Sequence, residues 1–141
     1  MNIKLVILTV FMLAIFISSI SARSPSTSDA YVYIISPTNG EHVTSPVLVK
    51  FGLHGMGIAP AGAEIKGTGH HHLLIDAKNL PDLDKPIPAN DSHIHFGKGQ
   101  TETLIELAPG KHTLQLLFAD FVHIPHDPLV ISEPITINVV E

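Results

Sequence analysis

The stretch His71-His72-Leu73-Leu74-Ile75-Asp76 (HHLLID) reads as a β-strand. Before it, Gly55 to Gly69 is rich in glycine and small residues, which suits a long loop or an irregular sheet edge. After it, Ala77 to Asp91 carries three prolines and again cannot continue a regular element. The same rhythm extends in both directions. Ala30 to Ser36 (AYVYIIS) alternates aromatic and β-branched residues up to the turn Pro37-Thr38-Asn39-Gly40, and Pro46 to Gly52 (PVLVKFG) forms a second strand. Downstream, Ser92 to Phe96 and Thr101 to Leu107 look like two strands joined as a hairpin through Gly97-Lys98-Gly99-Gln100. Pro109-Gly110 turns the chain into Lys111 to Ala119. A proline-interrupted segment, Phe121 to Pro128, then leads to the last strand, Leu129 to Val140, broken at Pro134.

No part of this region shows a sustained helical period with caps. About seven short strands over residues 30–141 predict one all-β domain, an immunoglobulin-like antiparallel β-sandwich. An eight-stranded jelly roll or a small barrel is the alternative architecture.

The N-terminus has a different character. Lys4 supplies a short positive region, Leu5 to Ile17 is nearly all apolar, and Ser18-Ser19-Ile20-Ser21-Ala22 offers small residues for cleavage. Residues 1–22 therefore read as a secretory signal peptide, which predicts a periplasmic or secreted protein with no stable membrane span after cleavage. An uncleaved anchor over Leu5 to Ile20 is the alternative. Residues 23–29 are Ser/Pro/Thr-rich and read as a flexible leader. About 120 residues remain after the signal, enough for one core.

The chain has 8 basic and 13 acidic residues, a formal charge of −5, and no basic strip interleaved with aromatics, which argues against nucleic-acid partners. It has no cysteine. Disulfides, thiolate chemistry, cysteine zinc sites and a lipoprotein anchor are excluded with it.

What the chain does have is histidine, ten in all, mostly as His70-His71-His72, His93-x-His95 and His123-x-x-His126. Side chains alternate along a strand, so His70 and His72 share one face while His71 joins Leu73 and Ile75 on the other. His93 and His95 likewise share a face. Such a pair projects two imidazoles in parallel, about 7 Å apart at the backbone, as a platform for a metal ion. Two paired strands would present up to four nitrogens, with His123 and His126 adding more from a constrained loop and Asp120 fixing a tautomer behind them. A nitrogen-rich set, with Met56 as the one thioether after the signal, suits copper or zinc rather than calcium or magnesium. Dense Met-x-x-Met motifs are missing, which weighs against a Cu(I) carrier.

The competing reading is structural: buried imidazoles bonded to the polypeptide simply lock loops. His112, directly after a turn, and the isolated His42 and His54 fit that role best. Gly97-Lys98-Gly99 could cradle an anion, and Gln100, Thr101 and Glu102 could floor a small-ligand pocket. A catalytic role gains no support, since G-x-S-x-G, H-E-x-x-H and a cysteine nucleophile are all absent.

The runs Gly69 to Asp76 (GHHHLLID), His95 to Glu102 (HFGKGQTE), Pro109 to Leu116 (PGKHTLQL), His123 to His126 (HIPH) and Ser132 to Val139 (SEPITINV) resemble a bacterial family of small exported proteins, the domain-of-unknown-function family 4399. Val49 to Met56 and Pro60 to Gly62 look like its N-terminal portion. The resemblance spans about Ile34 to Val139. It implies a β domain of the bacterial envelope and no established activity.

The functional expectation is thus an exported domain binding copper or zinc through His70, His72, His93, His95, His123 and His126. Its alternatives are a non-catalytic structural or interaction domain of the envelope, and a metal-dependent enzyme.

Overall fold

The computed structural model describes residues 23–141, so the predicted signal peptide lies outside the described residues. These hold nine strands: β1 (Tyr31–Ser36), β2 (His42–Thr44), β3 (Val47–His54), β4 (Gly57–Ile58), β5 (Thr68–Ile75), β6 (His93–His95), β7 (Glu102–Ile105), β8 (Gly110–Ala119) and β9 (Ile135–Val140). Seven coincide with the expected runs. The short β2 and β4 were not expected, because two or three residues carry no alternation to detect. No helix among the described residues is long and apolar enough to cross a membrane.

The strands form two sheets, one ordered β1-β3-β7 and the other β2-β9-β8-β5-β4, with β6 also paired to β5. Pairing is not wholly antiparallel as expected, since β2 runs parallel to β9 and β4 parallel to β5. The main core lies between the sheets. Val32, Val47, Val49 and Phe51 from the smaller sheet meet Leu73, Leu114, Leu116, Phe118 and Ile137 from the larger one. Burial of these aliphatic and aromatic side chains, roughly 1.5–3 kcal/mol each, is the principal driving force for the two-layer arrangement.

β6 and β7 are not a hairpin. β6 pairs with β5 in the larger sheet and β7 with β3 in the smaller one. The chain between them changes layers because Phe96, at the crossing, is buried against Phe51 with ring centroids 4.9 Å apart. An apolar residue at the end of a polar strand is thus the signal that overrides the glycine turn.

β5 is the central feature for function. From Gly69 to Ile75 it is buried on both faces. Its inner face contributes Leu73 and Ile75 to the main core, and its outer face is roofed by residues that follow β5 and β8. Leu74 packs there with Ile87, Leu117 and Ala119, flanked by Leu129 and Ile131. The roof is sewn on by backbone hydrogen bonds, Ile87 N–H to the His123 carbonyl and Phe118 N–H to the Val130 carbonyl, both 2.9 Å. The proline-broken segment near 131 thereby continues the sheet beside β8, and β9 proper begins only at Ile135.

Residues 23–29 were expected as a flexible leader, but Arg23 to Ser26 lie along residues 125–128, and Thr27 and Asp29 reach Gly55 and His54. The Ser26 N–H donates to the Asp127 carbonyl and the Asp127 N–H to the Ser24 carbonyl, each at 3.0 Å. Arg23 donates to the carbonyls of Pro125 and His126. A Ser/Pro/Thr-rich stretch has exposed backbone donors and acceptors, and here another strand-like segment satisfies them.

Where β5 ends, Asp76 adopts a left-handed conformation (φ 51°) and clamps β8. Its carboxylate accepts from the Thr113 N–H at 2.8 Å and from His112 Nδ1 at 2.7 Å, while His112 Nε2 donates to the Ala108 carbonyl at 2.9 Å. Both ring nitrogens face acceptors, and the Asp76 hydrogen bond raises the His112 pKa above its ordinary value. Asp76→Asn retains tolerance for the backbone conformation but removes the charge-assisted bonds. It should lower stability by about 1–2 kcal/mol in urea unfolding at neutral pH, and an unchanged midpoint would show that the clamp contributes nothing.

Candidate metal centre

Three strand-borne imidazoles converge on the roofed face. His70 and His72 project from β5 on the outer side, two residues apart, as strand alternation requires. The β5–β6 register sets His72 opposite His95, bringing a third ring onto the same face. The ligand atoms of His70, His72 and His95 all lie within 4.8 Å of one another. Ring centroids are separated by 4.9 Å for His70–His72, 4.9 Å for His70–His95 and 5.1 Å for His72–His95.

His123 approaches from above. Its centroid is 4.6 Å from that of His95 and 5.0 Å from that of His70, though its nitrogens fall outside the mutually close set of three. The turn that presents it is organised by Asp120, which is 2% exposed. The Asp120 carboxylate accepts from the Val122 and Ile124 N–H groups at 3.0 Å each and from the Ser24 hydroxyl at 2.6 Å. Asp120 thus shapes the loop backbone, rather than orienting an imidazole as expected. His123 itself has φ 70°, a strained value for a non-glycine residue, tolerated where surrounding structure enforces it.

The other expected residues lie elsewhere. His93 is opposite Leu74, further along the same strand pair, with Nδ1 3.0 Å from the Asn90 side-chain oxygen. His126 is fully buried, stacks on Phe118 at a centroid distance of 5.6 Å, and donates from Nε2 to the Thr68 carbonyl at 3.2 Å. Met56 packs against the main core. His71 is buried in that core between Phe51 and Phe118.

A residue that sequence reasoning assigned to a turn contributes directly to the centre. A β-carbon at Gly97 would sit 2.3 Å from His95 Cε1 and 2.6 Å from His95 Nε2. The glycine is there because the His95 ring lies over it. Its φ is not in the left-handed region, so contact with the ring, and not turn geometry, demands glycine.

The polar accounting is unusual. Both ring nitrogens of His70 and His72, and Nε2 of His95, are buried without a hydrogen-bond partner. So are both nitrogens of His71 in the main core, Nε2 of His93 and Nδ1 of His126, so convergence and not the missing partners alone marks out the three. Buried polar atoms are nearly always satisfied, and leaving one unpaired costs about 1–3 kcal/mol. Burial lowers the His70 pKa to about 4, with the neighbouring His95 and His123 pushing the same way and Asp120 opposing. Burial, then His70, His95 and His123, lowers that of His72 to about 2. His95 is lowered by burial and by His123. The rings are therefore neutral at physiological pH, the form that offers a lone pair to a metal.

The matched family model covers residues 49–140, and its description is a domain of unknown function, DUF4399. The chain belongs to the DUF4399 family. No curated protein and no solved structure matches it. All four residues of the histidine centre lie inside the DUF4399 match.

The centre also sets the acid response of the metal-free protein. His70, His71 and His72 have depressed values when folded, His71 through burial alone, to about 4. Below about pH 6.5 the unfolded chain takes up protons that the folded chain refuses, so stability falls as pH falls. Each such histidine contributes a slope of roughly 1.4 kcal/mol per pH unit. His112, with its raised value, acts in the opposite sense: its stabilisation is complete below about pH 6.5 and is lost as pH rises through the folded value. The buried three outnumber it. Chelator-treated protein should lose on the order of 5 kcal/mol between pH 7 and pH 5 in urea unfolding. Equal midpoints at the two pH values would contradict the neutral, buried state of these rings.

Proposed function

We propose that this DUF4399 protein is an exported, periplasmic metal-binding domain whose centre is formed by His70, His72 and His95, with His123 as the adjacent fourth ring. The observation that carries the reading is the convergence of two buried imidazoles and one half-buried one, with both ring nitrogens of His70 and His72 and Nε2 of His95 lacking any other partner. An ion among three nitrogens no more than 4.8 Å apart lies within about 2.8 Å of each. Shifts of under about 1 Å then reach the 2.0–2.1 Å bond length typical of imidazole on zinc. An all-imidazole set suits copper or zinc and offers calcium or magnesium no oxygen ligand. The two facing sheets support reading residues 30–141 as one immunoglobulin-like sandwich, with the centre on its outer face.

Protein purified without a histidine tag should carry or take up one copper or zinc ion per chain. The His72→Ala/His95→Ala double variant should lose that ion, with affinity reduced at least about 100-fold, while remaining folded by circular dichroism. Undiminished binding in the double variant would refute the site.

The signal-like segment at residues 1–22 supports export. Cell fractionation with intact-mass measurement should find a periplasmic or secreted chain that has lost those residues. A full-length cytoplasmic chain would refute this part of the reading.

A second reading, a non-catalytic interaction domain of the envelope, draws on the exposed Tyr31, Tyr33, Ile35, Leu48 and Leu104 of the smaller sheet. Exposed large apolar side chains on one sheet face are a common feature of docking surfaces. It predicts a chain that binds a partner equally well with and without metal.

A further inference from the structure

We infer that the ion this centre is built for is monovalent copper, Cu(I), in preference to zinc(II) or copper(II). The inference rests on the metal-binding reading above and deepens it.

Charge is the first constraint on the ion. His70 and His72 are 0% exposed, His95 and His123 are half-buried at the edge of the centre, and none of these rings brings negative charge. A complex of one ion with three neutral imidazoles therefore keeps the full charge of the ion. The cost of placing a charge in a dry interior rises with its square, so an uncompensated divalent ion costs about four times as much as a monovalent one. The buried carboxylate beside the centre is Asp120, whose field reaches His70. Its oxygens are held by Ser24, Val122 and Ile124, so it serves as a counter-charge at a distance. One negative charge at a distance offsets a monovalent ion more fully than a divalent one. Arg23, on the carbonyls of Pro125 and His126, offsets part of that negative charge, so a divalent ion is the less compensated of the two.

Coordination number points the same way. The nitrogens of His70, His72 and His95 lie mutually close, whereas His123, though 4.6 Å from His95 between ring centroids, stands 6.0 Å from His72 and outside that set of three. A closed-shell monovalent copper ion is satisfied by two or three ligands, whereas structural zinc completes four. Zinc would complete its shell by drawing in His123 from a turn fixed by Asp120, or by taking a water at the half-buried side of the centre, where His95 and His123 lie. Scarce methionine weighed against Cu(I) in the sequence because thioethers select it by softness. The structure offers a different basis, which is charge balance and a three-coordinate cradle.

The test is a pair of competition titrations on the tag-free chain. Cu(I) is titrated anaerobically against bathocuproine disulfonate, and zinc(II) against a chromophoric chelator. One Cu(I) should bind per chain, at least about 100-fold more tightly than zinc(II). X-ray absorption of the Cu(I) form should show a nitrogen-only shell of three. His95→Asp adds a second negative charge and should shift the preference toward zinc at least about tenfold, and His123→Asp, which leaves the three-ring set intact, should shift it in the same direction. Zinc(II) binding as tightly as Cu(I), or an unchanged preference in His123→Asp, overturns this inference while the metal-binding reading stands. Failure of both ions to bind overturns both.

Discussion

A strand carrying three consecutive histidines, buried on both faces, is the constraint around which the rest of the molecule is arranged. Imidazole has two polar ring atoms, and a dry interior gives them nothing. Each buried, unpaired nitrogen on His70 and His72 is a cost that packing elsewhere must offset. The chain nonetheless places these rings at the centre of its larger sheet, with β8 on one side of β5 and β4 and β6 on the other. A surface location would have removed the cost at once. His71 bears the same cost in the apolar core, whereas His70 and His72 meet His95 in an arrangement that could hold a metal ion.

The scaffold explains how convergence is achieved. Strand alternation delivers His70 and His72 to one face, the antiparallel register of β6 delivers His95 opposite His72, and Gly97 leaves room for the His95 ring to lie down. The roof over this face then depends on a second buried group. Asp120 uses its carboxylate to fold the turn that carries His123, and Ser24 from the N-terminal segment supplies one of its donors. The docked residues 23–29, the Asp120 turn and the histidine centre are therefore mechanically linked. The Asp76–His112 clamp at the far end of β5 plays the corresponding part for β8, holding the two central strands in register.

Much of the fold was legible in the sequence because period-two alternation and Pro/Gly punctuation are local signals. Seven strands and the opposed faces of His70/His72 and His71 follow from them. The layer change between β6 and β7 was not legible, because Gly97 to Gln100 has turn chemistry and only the burial of Phe96 sends the chain across. The centre was legible in part. Shared faces are set by local geometry, so His70, His72 and His95 could be proposed. Register and loop path are not local, and they separate His93 by one residue pair and turn His126 toward Phe118 and Thr68. Asp120 was recognised as important but for the wrong partner, since side-chain bonds to a loop's own backbone leave no periodic trace. Gly97 had a signal, a glycine two residues from a histidine, that turn propensity masked.

The most direct test is anomalous diffraction from crystals of the metal-loaded protein. The account predicts one strong peak per chain among His70, His72 and His95, with nitrogens of all three within coordination distance and His123 beside them. A peak elsewhere, or these rings bonded to ordered water and backbone with no ion between them, would contradict it.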